Sequence, residues 1–343
     1  MAMKAGQVGV ISGTVLGLAM AILVSCAEIR PAVAPLVLKR TQMQMGTLVT
    51  ITVVTSDKTI GNRAMQDGFD EIKRLEGLLS TWRADSELSR VNQEAGRQPV
   101  FVSQETADLV ARSLEIVRLT HGAFNIALGP AIEAWSVTDL QHIPDDDELH
   151  RLKPLVDWAH VQVNTNARTI YLASMNMRID IGGIGKGYAA DQAVRAMKRA
   201  GVVGGVVALS GDIKTFGELP GGNGFPVGIK HPREEGTVIA VLDLKNEAIS
   251  TAGDYERFFE RDGVRYHHIL DPETLKPARS CQSVTVVAKE GIMADGLDTG
   301  IFVLGPVQGM ALVEQLPDIE AVIIDHQGKM TVSSGLRHRL RVP

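Results

Sequence analysis

Cysteine is nearly missing from this chain: Cys26 and Cys281 are the two in 343 residues. Cys26 falls in a leader-like segment described below, which leaves Cys281 without an internal partner. No disulfide staples the fold, and its hydrophobic core must hold it alone. Aromatic residues make up only 4%, so each Trp and Tyr is a landmark. No basic block occurs anywhere, and the net charge is −5, which excludes the electrostatic footprint of a nucleic-acid binder. Internal repeats and low-complexity tracts are also lacking from 41 to 340. What is present in quantity is apolar: 45% hydrophobic against 22% charged residues, ordinary for a soluble protein with a sizeable core. The length allows one large domain or two ordinary ones, and the uninterrupted span favours a single domain over 41–343.

The first 25 residues read as a secretory leader. Lys4 is their only charge, an apolar run extends from about Val8 to Val24, and small residues end it. The run closes on Leu23-Val24-Ser25-Cys26, which resembles the lipobox of bacterial lipoproteins, whose cysteine is acylated. An uncleaved membrane anchor is the alternative, but an anchor has no need of a Cys there. Both readings export the body of the protein. Residues 26–40, with two prolines and no periodicity, read as a tether.

Thr47–Thr55 is β-branched almost throughout and predicts a buried strand. Met65, Phe69, Ile72, Leu75 and Leu79 recur at helical spacing and predict a helix over 62–80. Ser103 caps a second helix through Leu119. Asp145-Asp146-Asp147-Glu148 is the acidic first turn of a surface helix, where negative charge suits the helix dipole, and has no catalytic part. Further strands are expected at 169–173, 202–209, 238–244, 264–270, 283–289 and 320–325, with helices at 187–200 and 293–304. Strands mixed unevenly with helices predict an α+β layered fold.

Four glycines crowd the stretch Gly182-Gly183-Ile184-Gly185-Lys186-Gly187 between a strand-like segment and an Ala-rich helix. Glycines let a backbone approach a ligand closely, and the following helix start offers free N–H groups to an anion, with Lys186 adding a full charge. A P-loop is excluded because Gly187 replaces the Ser or Thr after its lysine. The dinucleotide fingerprint is excluded by the G-x-G-x-G spacing. Close packing of helix on sheet explains the glycines equally well.

A second informative stretch is Met293–Gly305. As a helix it carries Leu297, Ile301 and Leu304 on one apolar stripe, with Asp295 and Thr299 together on the other side and Asp298 beside them. Hard oxygen donors so placed suit Mg2+; an ordinary helix first turn would contain the same residues. In Tyr266-His267-His268-Ile269-Leu270, strand alternation lets only one histidine face a given site. No Cys or His cluster at ligand spacing supports zinc.

Eight short segments follow one another in a telling order. They are M-G-T at 45–47, S-T-W-x-x-x-S-E-L-S-R-x-N at 80–92, G-A-F-N at 122–125 and D-I-G-G-I-G-K-G-Y at 180–188. S-G-D at 210–212, S-T-A-G-D-Y at 250–255, H-I-L-D-P at 268–272 and A-D-G-L-D-T at 294–299 complete the set. Together they resemble the ApbE family of exported bacterial flavin transferases, from about Met45 to beyond Gly305. The resemblance implies Mg-dependent transfer of FMN from FAD to a Ser or Thr hydroxyl of an exported acceptor, with release of AMP.

By position, the resemblance makes Asp295 and Thr299 the side-chain ligands of Mg2+, with the Gly183 carbonyl completing them. It makes Met45 and Trp82 holders of the flavin ring. Asn125, Lys186, Asp212, Thr251 and Asp254 become parts of the FAD pocket, and His268 the general base, acting with Asp295 in catalysis. Three positions depart from the family's habit: Asn125 for Asp, Ala252 for Ser, and Asp298 for a small residue. The family's acceptors belong to membrane redox complexes, which with lipidation at Cys26 implies a periplasmic, membrane-anchored protein. A metal-dependent FAD pyrophosphatase and a non-catalytic FAD-binding lipoprotein are the rival readings.

Overall fold

The computed structural model describes residues 35–342. The leader, Cys26 and the tether up to Ala34 lie outside the described residues. Residues Pro35–Pro343 form one compact unit.

The frame is an eight-stranded sheet in the order β1 (Leu36–Gln44), β2 (Thr47–Thr55), β6 (Gly204–Leu209), β7 (Asp212–Phe216), β10 (Ala248–Gly253), β13 (Cys281–Ala288), β14 (Glu320–Asp325) and β15 (Met330–Val332). Every neighbouring pair is antiparallel. Three smaller sheets are formed by β3 (Val100–Phe101), β4 (Val161–Asn164) and β5 (Thr169–Leu172), by β8 (Phe225–Lys230) with β9 (Val238–Leu244), and by β11 (Phe258–Arg261) with β12 (Val264–His267). The helices are α1 (Lys58–Leu79), α2 (Glu87–Gln93), α3 (Gln104–Leu119), α4 (Gly129–Trp135), α5 (Asp146–Leu152), α6 (Gly185–Arg199) and α7 (Gly291–Val313). This is the α+β layered architecture that the mixed patterning implied.

Strand alternation sorts the sheet into two cores. Ala248, Ala252, Val284, Val286, Ala321 and Ile323 face the helices α1, α6 and α7 and join the main core. Ile213, Ile249, Val287 and Val322 face the other way, under the β8–β9 hairpin. Asp212 and Ser250 therefore share the helix side, one residue out of step with Ile213 and Ile249. That parity decides which polar side chains can meet.

The expected helices exist, with ends moved by local capping. Asp57 accepts from Thr59 N at 2.6 Å and Ile60 N at 3.1 Å, which starts α1 at Lys58, ahead of the expected start at 62. Phe69, Ile72 and Leu75 on α1 are fully buried, each contributing roughly 1.5–3 kcal/mol. Ser103 caps α3 through Thr106 N, and Asp145 caps α5 through Glu148 N, the structural part assigned to that acidic patch. Helix α7 runs past residue 304 to Val313, with a break at Gly305 where φ is 79°.

Two expectations are corrected. The tether ends earlier than residue 40, because Leu36–Gln44 is strand β1, paired residue for residue with β2. The lost periodicity has a physical source: β1 pairs with a strand on one side only among the described residues, and Leu36 and Val37 are exposed. The strand expected at 264–270 stops at His267, and only Leu270 pairs again, across to Pro277. Cys281 is buried and unpaired, and burial pushes its thiol up to about 12, so it is an inert core residue.

Candidate functional site

Helices α6 and α7 begin side by side, and neither has a side-chain cap of its own. Each is capped by a carboxylate of the other. Gly187 N of α6 donates to Asp295 Oδ2 at 2.8 Å. Gly291 N and Ile292 N of α7 donate to the two oxygens of Asp191, at 2.9 and 3.1 Å. The first turn of α6 carries Lys186, and the second turn of α7 carries Asp295, Asp298 and Thr299.

Asp212, at the start of β7, completes a buried group with Asp295 and Asp298 whose carboxylate oxygens lie within 4.8 Å of one another. Lys186 Nζ binds Asp212, and Ser250 Oγ lies between Asp212 and Asp298 Oδ2, the latter at 2.6 Å, with one proton to give to one of the two. Thr299 Oγ1 donates to Asp298 Oδ1 at 3.1 Å. Gly183 faces Thr299, and a Cβ there would come within 3.3 Å of Thr299 Oγ1. The glycine thus keeps its backbone against the hydroxyl.

Burial, then the neighbouring Asp212 charge, pushes the Asp295 carboxyl upward; burial, then Asp295, does the same to Asp298. Burial opposes the charge on Lys186, but Asp212 and Asp295 outweigh it and hold the ammonium above its ordinary pKa. Three carboxylates thus share one ammonium, and full ionisation leaves an excess of negative charge. A divalent cation fits this donor set, which is all oxygen.

His268 follows β12 and donates from Nδ1 to the Arg257 carbonyl at 3.2 Å. A carbonyl can only accept, so Nδ1 carries the proton and Nε2 the free lone pair. Burial of the ring, with Arg257 second, lowers its pKa to about 3. His267 is the structural one of the pair: its Nε2–H donates to Ala278 O at 2.7 Å and Nδ1 accepts from Ile269 N at 3.3 Å.

Four loops are tied to this region. Met45, at φ 49°, tips the β1–β2 hairpin and donates its N–H to Glu76. Ser210 N donates to Leu48 O, joining that hairpin to the turn before Asp212. Trp82 stands 81% exposed after α1. The preceding Thr81 Oγ1 donates to Asp180 Oδ2 at 3.0 Å, joining the Trp82 turn to the glycine-rich loop.

Other predicted pocket residues have their polar atoms engaged within the fold. Asn125 Nδ2 donates to Val156 O at 2.9 Å, and its Oδ1 accepts from Ala127 N at 2.8 Å. Asp254 makes a paired contact with Arg233, both bonds at 2.7 Å. Thr251 Oγ1 bonds Thr285 Oγ1 across β10 and β13, on the opposite sheet face from Ser250. Ser250, Asp298 and Asp191 are the polar groups that sequence reasoning left outside its site. Two of them carried a signal: Asp298 its i+3 spacing from Asp295, and Ser250 its place at the head of S-T-A-G-D-Y.

Fold and site together define a class: an α+β domain with three buried carboxylates and a lysine gathered at a helix start, a donor set that could hold a metal ion. The comparisons narrow it. Residues 45–323 match the sequence profile of the ApbE family. The chain is 33% identical over 320 residues to the FAD:protein FMN transferase of Treponema pallidum, covering 88% of each chain. It is 32% identical over 300 residues to that of Klebsiella pneumoniae, covering 86% of this chain and 91% of the relative. Among solved structures, the ApbE protein of Thermotoga maritima superposes with a TM-score of 0.83 at 30% identity, over 89% of this chain and 100% of that one. The flavin transferase ApbE of Vibrio cholerae does so at 0.80 and 27% identity, over 89% and 99%. The protein belongs to the ApbE family.

Proposed function

We propose that this protein transfers FMN from FAD to a Ser or Thr hydroxyl of an acceptor protein, with Mg2+ as its cation and AMP as the second product. The observation that carries the chemistry is the buried Asp212–Asp295–Asp298 group with Lys186 at the start of α6. Family membership supports FAD as donor and a protein as acceptor.

Asp295, Thr299 and the Gly183 carbonyl are the groups that would hold Mg2+. When bound, the ion neutralises charge on the FAD pyrophosphate. Lys186, oriented by Asp212, binds a phosphate oxygen from the α6 side. Met45 and Trp82 hold the flavin ring, and Trp82 offers an exposed aromatic face for stacking. Asn125, Thr251 and Asp254 belong to the FAD pocket by family resemblance. His268 accepts the hydroxyl proton at Nε2 as the acceptor oxygen attacks the FMN-side phosphorus. The new P–O bond forms, the bridging bond to AMP breaks, and AMP leaves with the bridging oxygen. The Nδ1–H bond to the Arg257 carbonyl leaves Nε2 with the lone pair that this step needs.

The leader at 1–25 and a lipid on Cys26 place the domain on the periplasmic side of a bacterial membrane. An exported segment of a membrane redox complex is the matching acceptor. The location rests on the leader's residue pattern, and the acceptor on what the family resemblance implies.

The test incubates protein lacking residues 1–26 with FAD, Mg2+ and a Thr-bearing acceptor peptide, following AMP and peptide mass together. AMP with an FMN-sized mass gain is expected, lost in Asp295→Ala and His268→Ala. AMP with free FMN and unmodified peptide would replace transfer by hydrolysis, and bound FAD without AMP would leave a binding protein.

A further inference from the structure

Asp191 is buried, lies on α6, and plays no part in the chemistry above. Its two carboxylate oxygens take the first two N–H groups of α7, one helical turn before Asp295. Asp295 returns the bond to α6 at Gly187. The two helix starts are so close that a Cβ on Gly187 would fall under 3.0 Å from Gly291 O, and one on Gly291 under 3.0 Å from Gly187 O. This contact leaves α6 and α7 little room to slide past each other.

We infer that Asp191 is a positioning residue for the cation site, acting through Asp295. The inference rests on the cation reading of the Asp212–Asp295–Asp298 group. Without a side-chain cap of its own, α7 depends on Asp191 to satisfy its terminal N–H groups and to fix the start of the helix. Fixing that start fixes the height of Asp295 against Gly187. The Gly187 N–H bond to Asp295 Oδ2 then holds that carboxylate against the start of α6. The reciprocal caps thus couple the phosphate-facing end of α6 to the ligand-bearing turn of α7. Lys214 Nζ, 4.0 Å from Asp191, is the nearest cation to this carboxylate, and its own strong bond goes to the Lys289 carbonyl.

Partners one shell behind a ligand typically change metal affinity by about 10–100-fold when removed. The test measures Mn2+ affinity of the full chain by titration calorimetry, without FAD, beside its melting temperature. Asp191→Asn keeps one acceptor oxygen, and a loss of about 10-fold is expected; Asp191→Ala keeps none and should approach about 100-fold. Leu242→Ala, in the separate core under β8–β9, is the stability control: its melting temperature falls while its Mn2+ affinity stays that of the unaltered protein. If both Asp191 variants melt lower yet bind Mn2+ like the unaltered protein, the role is only structural and the inference fails. If the unaltered protein binds no Mn2+, the cation reading falls and takes the inference with it. Full affinity in Asp191→Asn with loss in Asp191→Ala would keep the cap and discard the need for both oxygens.

Discussion

Gly187 and Gly291 touch backbone to backbone, each occupying the space where a Cβ on the other would sit. This contact brings the starts of two helices together, and the caps from Asp191 and Asp295 depend on it. Gly291→Ala inserts a methyl into a space closed by main chain, which cannot rotate away. A loss of about 1–3 kcal/mol is expected from overpacking, with FMN transfer falling by more than the melting temperature predicts, because Asp295 moves with the helix. Thermal melts and initial rates on the same preparation check both.

Asp298 is the carboxylate with the least reason to be ionised without a cation, being buried beside Asp295 and Asp212. Asp298→Asn removes one like charge. The cation-free protein should melt at the same temperature or higher, while the rise in melting temperature produced by saturating Mg2+ shrinks. Paired melts with and without Mg2+ measure this; an unchanged Mg2+ effect would remove Asp298 from the site.

Asn125 uses both ends of its amide within the fold. The Val156 carbonyl needs a donor, and Nδ2 supplies it. Asn125→Asp exchanges that donor for an acceptor, and a destabilisation of about 1–3 kcal/mol is expected. Urea unfolding at pH 7 checks the sign as well as the size.

His267 is kept neutral by burial, its pKa lowered to about 4. In the unfolded chain it titrates near 6.5, so the unfolded state binds the extra proton first as pH falls. Its contribution is present above about pH 6.5 and is lost as pH falls towards 4. Each unit in that window costs about 1.4 kcal/mol. Unfolding free energies at pH 7 and pH 5 should therefore converge in His267→Gln, relative to the unaltered protein, by about 2 kcal/mol.

The sequence by itself determined the α+β class, the Ser103 cap of α3 and the family, because these rest on local periodicity, a capping residue and short ordered motifs. It also placed Asp295 and Thr299 on one helix side, since that pairing is set by helical geometry alone. Tertiary structure decided the rest. Asp212 lies in a strand far from α7 in sequence, and only the antiparallel sheet brings it beside Asp295. Ser250 and Thr251 are neighbours with similar hydroxyls, yet strand parity turns the first towards Asp298 and the second to the opposite sheet face. The same limit hid Asp191: a buried carboxylate on one helix capping another is a contact across 100 residues, and no local pattern encodes it.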